Sequence, residues 1–107
     1  MTGSTIRDIE DRKHRAQRGQ ILRFLAIAFP RWVTPLMVRR HLRDNRLPLT
    51  FESLGFQFEY LQEKGWVEIE KKENRETDQT EIVAVKLTAA GVDLVDQRPA
   101  GDTGLDF

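Results

Sequence analysis

The 107-residue sequence has no cysteine. Disulfides, thiolate nucleophiles and every metal site that needs a sulfur ligand are thereby excluded. Histidine is scarce too: His14 and His41 are the only two, and neither stands at metal-ligand spacing to the other or to a carboxylate cluster. His14 reads as a solvated residue of a charged helix and His41 as a partly packed one beside an apolar stripe. Long apolar runs are also missing. The longest, Phe24 to Phe29, is far short of the roughly 20 residues that a membrane span requires. Met1 to Thr5 leads into charge with no apolar signal core, so a cytoplasmic protein is expected. Internal repeats and low-complexity segments are absent.

The remaining candidates for chemistry are weak. Glu68, Glu70 and Glu73 alternate along a strand and turn without an accompanying histidine, which describes a solvated strand face. The Asp102-Thr103-Gly104 triplet stands in a short tail with no flanking apolar strand, unlike the catalytic turn of an aspartic protease. Trp32 and Trp66 read as core or edge-packing residues. No catalytic constellation is present, and neither an enzyme, a cofactor nor a metal is expected.

Net charge is zero, with 17 basic and 17 acidic residues, but the charges are segregated. Met1 to Arg46 carries 11 basic residues against 4 acidic, a net of +7, whereas Leu47 to Phe107 carries 6 against 13, a net of −7. A basic half can neutralise a polyanion, and this is the main source of non-specific affinity for nucleic acid.

Periodicity divides the chain into short elements. Ile6 and Ile9, then Ile21, Leu22, Leu25 and Ala28, recur at helical spacing, with Gly19 as an expected break and Pro30 as the stop. Residues 1–19 are thus read as a charged N-terminal extension helix, 20–97 as the folded domain and 98–107 as an irregular tail. Thr34-Pro35 starts a second helix to about Asp44, with Val38 and Leu42 inward and Arg39, Arg40 and Arg43 outward. Thr50 caps a third helix whose inward face is Phe51, Leu54, Phe58 and Leu61, and Gly65 ends it. Alternation predicts strands at Trp66 to Lys72 and Ile82 to Leu87, the second pointing Val83, Val85 and Leu87 inward, joined by a long polar tip from Glu73 to Glu81. Thr88 caps a last helix, Ala89 to Gln97.

Three helices, a two-stranded hairpin and a closing helix make an α+β, mostly helical, winged helix-turn-helix. The residues strengthen this. Leu61-Gln62-Glu63-Lys64-Gly65-Trp66-Val67, followed by Leu87-Thr88-Ala89-Ala90-Gly91-Val92-Asp93-Leu94, resembles the helix exit and the LTxxGxxL helix start of winged-helix regulators of the MarR, ArsR and PadR type. The run from Val92 to Asp102 is also similar to small winged-helix proteins of phages and prophages. The resemblance implies a DNA-binding regulator of transcription, commonly a dimer, with the third helix in the major groove and the hairpin tip beside the backbone.

The residues fit that role unevenly. Turning Leu54, Phe58 and Leu61 inward leaves Glu52, Ser53, Phe56, Glu59, Tyr60 and Glu63 outward, an acidic and aromatic face where base reading usually needs Arg, Lys, Asn or Gln. The expected contacts to double-stranded DNA are therefore Arg39, Arg40, Arg43 and Arg46 around the second helix, Arg15 and Arg18 on the first, Ser53, Gln57 and Tyr60 on the third, and Arg75 on the wing. This requires that the arginines of the second helix stay unpaired with the chain's own carboxylates. The alternative is a protein-interaction module, as adaptor, antirepressor or DNA mimic, using Glu52, Phe56, Glu59 and Glu63.

Overall fold

The computed structural model describes residues 2–97, with side chains from Asp11 onward. The expected tail and its Asp102-Thr103-Gly104 triplet lie outside the described residues. The element order is α1 (Thr2–Ala28), α2 (Pro35–Asp44), α3 (Phe51–Glu63), β1 (Val67–Asn74), β2 (Gln79–Leu87) and α4 (Ala89–Gln97). The helices pack around a two-stranded antiparallel sheet in the winged-helix arrangement.

The helix starts follow from local chemistry. The hydroxyls of Thr34 and Thr50 accept from the amides of Met37 and Ser53, satisfying donors that a helix N-terminus leaves free. The exits of α2 and α3 share one geometry. Gly65, at φ +80, donates to the Gln62 carbonyl while Trp66 donates to Leu61. Arg46, at φ +61, donates to Arg43 while Leu47 donates to Leu42. Both are Schellman closures, in which the left-handed residue is usually glycine.

Ile21, Leu22, Leu25, Val33, Val38, Leu42, Leu54, Phe58, Leu61, Val67, Val85, Leu87 and Val95 form the core. Each element contributes to it, so the helix-turn-helix, the hairpin and α4 share one interior.

Four local expectations are corrected. The first helix does not break at Gly19; α1 continues through it, and Gly19 is buried. Phe51 is half exposed rather than inward. The polar tip is short, because β1 and β2 stay paired out to Asn74 opposite Gln79, leaving a turn at residues 75–78. Pairing slips by one residue between Glu70 and Lys71, so Val83 has no partner and Ile82, rather than Val83, packs against the core.

Candidate nucleic-acid interface

Among the described residues no carboxylate pairs with an arginine of α2. Among the described residues the ion pairs are Lys71 with Glu59 at 3.0 Å and Lys86 with Glu68 at 3.4 Å, and neither involves α2. Arg39, Arg40, Arg43 and Arg46 are all exposed. Because α2 buries Val38 and Leu42, the 3.6-residue period carries Arg39, Arg40 and Arg43 to the opposite side.

These three arginines line a cleft of about 180 Å³ closed by Leu36, Pro48 and Leu49. Arg39 is the most restrained: its Nε donates to the Leu49 carbonyl at 3.1 Å, and its guanidinium lies 4.5 Å from the centre of the Phe51 ring. Among the described residues Arg40 and Arg43 are in no ion pair and line the same cleft with their side chains exposed. Pro48 and Leu49 also border a second groove, of about 340 Å³, whose other walls are Lys13, His14 and Gln17 of α1 and Thr50 and Ser53 at the start of α3. The turn between α2 and α3 is thus a ridge with three arginines on one side and Lys13 on the other. Ser53 is exposed within that second groove, so it shares the basic side of the molecule.

Gln57 does not belong to this surface. It is buried at 7% exposure, donates to Gln17 Oε1 at 3.4 Å and accepts from Arg18 Nη1 at 3.2 Å. Gln17, itself 3% exposed, reaches the Pro48 carbonyl at 3.4 Å. The expected base contact is instead part of a polar bridge that joins α1 to α3. The signal was the spacing itself. Gln17 lies four residues before Ile21, on the buried face of a helix that continues through Gly19, and Gln57 lies between Leu54 and Leu61.

Arg18 and Tyr60 are also engaged with each other. Arg18 is half-buried with its guanidinium 4.5 Å from the centre of the Tyr60 ring, and Lys64 approaches the same ring at 5.6 Å. Desolvation lowers the Arg18 pKa below the ordinary arginine value, opposed by Tyr60 and Asp11 and reinforced by Arg15. The outer α3 face is otherwise as expected: Glu52, Glu59 and Glu63 are exposed and Phe56 is 66% exposed. Lys71, from the hairpin, offsets Glu59. Arg15, on α1, and Arg75, at the hairpin turn, are exposed but line none of these grooves.

His41 packs its ring against Phe24 at 4.6 Å between centroids, and Asn45 lies beside it. Among the described residues no group of three His, Asp or Glu side chains could hold a metal ion, and no helix is long and apolar enough to cross a membrane.

No family model matches the sequence, and no curated protein matches it. Solved structures do. A cysteine-to-serine mutant of MarR from E. coli aligns with a TM-score of 0.54 and 23% identity over 89% of this chain and 71% of that one. Wild-type apo MarR from E. coli gives 0.52 and 22% over the same shares. The same mutant complexed with operator DNA gives 0.54 and 23%, over 89% of this chain and 69% of that one. With those structures beside its own helix order, hairpin and capped helix starts, the chain has the winged-helix fold of MarR.

Proposed function

We propose that this protein is a DNA-binding regulator of transcription that holds the phosphate backbone with α2 and α1 rather than reading bases with α3. The observation that carries this is the α2 cleft: Arg40 and Arg43 are exposed, have no carboxylate partner among the described residues, and converge with Arg39 on one small concavity. Guanidinium groups grip phosphate oxygens through paired donors, and such contacts fix a protein on a duplex without specifying sequence. The MarR mutant complexed with operator DNA shares the fold, which supports a duplex as ligand. The acidic face of α3 argues against deep insertion in the major groove, since Glu52, Glu59 and Glu63 repel the phosphates on either side. The protein acts in the cytoplasm, and the segregation of charge along the chain supports self-association as a dimer.

The test is binding to random-sequence duplex DNA at two salt concentrations. Affinity that falls steeply as salt rises supports the reading; absence of binding at low salt overturns it.

One observation favours a second reading, a protein-interaction module: Phe56 is 66% exposed on the outer face of α3, beside the exposed Glu52, Glu59 and Glu63. Under that reading DNA binding is absent, and Phe56→Ala with Glu59→Lys removes a protein partner.

A further inference from the structure

Strand β2 pairs along one edge with β1, whereas its other edge is bridged at one place. There the Val33 amide donates to the Val85 carbonyl and the Val85 amide to the Val33 carbonyl, both at 2.9 Å. Val33 leads directly into Thr34 and α2, so this pairing goes no further. From Gln79 to Val83 the outer edge of β2 has no strand beside it among the described residues.

That open edge forms one wall of a groove of about 700 Å³, the other being the start of α2 and the first turns of α3. Leu36 and Phe51 face it while 43% and 50% exposed, and Val83, the unpaired residue of the bulge, lies opposite. Among the described residues the charged groups lining the groove are the carboxylates of Glu52 and Glu81, and neither is in an ion pair. An open strand edge is a template for another chain unless lysine, proline or a covering element blocks it, and Gln79 to Val83 contains neither residue.

We propose that this groove binds an extended, basic polypeptide segment that joins β2 as a third strand, continuing the pairing that Val33 begins. The backbone of β2 supplies hydrogen bonds to any extended chain, Leu36, Phe51 and Val83 favour apolar side chains, and Glu52 and Glu81 favour lysine or arginine. The groove meets the α2 cleft at Leu36, and Arg39 lies over its Phe51 ring; because Glu52 and Glu81 repel phosphates but attract a basic peptide, replacing them separates this reading from DNA binding.

The test screens the full-length chain against a displayed library of random dodecapeptides, then titrates an enriched peptide into the 15N-labelled protein. The expected result is enrichment of peptides that combine apolar with Lys/Arg residues, with shifts and slowed exchange at the amides of Gln79 to Val83. Glu52→Gln with Glu81→Gln weakens binding at least tenfold while leaving affinity for random duplex DNA no lower. N-methylation of alternate peptide amides, which leaves the protein untouched, abolishes binding. The proposal is overturned if no basic peptide is enriched, if N-methylated peptides bind as well as their parents, or if phenethylammonium alone produces the same shifts at the same concentration, which marks a pocket for a small cation.

Discussion

The hydroxyl of Thr88 donates to the carbonyl of Gly65 at 2.7 Å and accepts from the Gly91 amide at 3.1 Å. The exit of α3 and the start of α4 are thereby locked to each other, and the Thr88 amide adds a bond to the Trp66 carbonyl at 3.0 Å. Gly91 makes the approach possible: a Cβ there would collide with the Trp66 carbonyl oxygen and lie 2.7 Å from Leu87 Cδ1. Thr88→Ala is expected to cost about 1–2 kcal/mol through loss of the cap and of its bond to Gly65. Gly91→Ala is expected to cost about 1–3 kcal/mol despite alanine's higher helix propensity, because backbone rather than a flexible side chain must give way. Urea unfolding of both variants measures this; a stabilised Gly91→Ala protein would contradict the packing.

The Gln17–Gln57 pair carries a second prediction. Gln57→Leu leaves Gln17 and Arg18 without their buried partner and should cost about 1–3 kcal/mol, whereas Gln17→Leu with Gln57→Leu should recover much of that loss. If Gln57 instead contacted DNA, the single variant would keep its stability and lose affinity. Thermal melts alongside duplex binding separate the two outcomes.

The contrast between these sites shows which parts of the fold were legible. Thr34, Thr50 and Thr88 cap helices through amides three residues away, so their role is written in adjacent sequence. The apolar stripe of α2 was equally local. Gln57, by contrast, has its partner 40 residues away on α1: the spacing places it between Leu54 and Leu61 on the buried face, but no local pattern names Gln17 as the group it meets there. The hairpin failed for a similar reason. Polar residues from Glu73 to Glu81 have the composition of a loop, but cross-strand pairing extends through most of them. The α2 arginines were legible as a cluster, while the ridge at Pro48 and Leu49 that gathers them with Lys13 required the tertiary packing of α1 against α2.

DNA binding should depend on α2 in a countable way. Each phosphate neutralised contributes about 0.9 to the slope of log affinity against log salt. Arg40→Ala with Arg43→Ala is therefore expected to lower that slope by roughly 2, uniformly across duplex sequences. Fluorescence anisotropy over a salt series reads the change. An unchanged slope would remove these two residues from the interface.

His41 should make stability depend on pH. Burial against Phe24 lowers its pKa from the ordinary 6.5, reinforced by Arg23 and opposed by Asp44. The unfolded chain therefore binds the proton more readily than the folded one, and stability rises with pH wherever this holds. The contribution of His41 is complete above pH 6.5 and is lost as pH falls through the lowered folded value. Melting temperatures between pH 7.5 and 5 should decline less in His41→Gln than in the parent; parallel declines would exclude His41 as a cause.

Arg46 joins stability to binding. Its left-handed backbone, at φ +61, closes α2 where glycine would sit without strain, and an L side chain in that conformation costs about 1–2 kcal/mol. Glycine relieves the strain but adds freedom to the unfolded chain, so Arg46→Gly should stabilise the fold by about 0.5–1 kcal/mol net. The same substitution removes an exposed cation just beyond the α2 cleft and should weaken binding to random duplex, lowering the salt slope by about 1. A strained residue kept at a helix end is explained if its side chain serves a ligand. If Arg46→Gly gains stability and keeps full affinity, Arg46 lies outside the interface; if it loses stability, the Schellman closure does not carry the strain assigned to it.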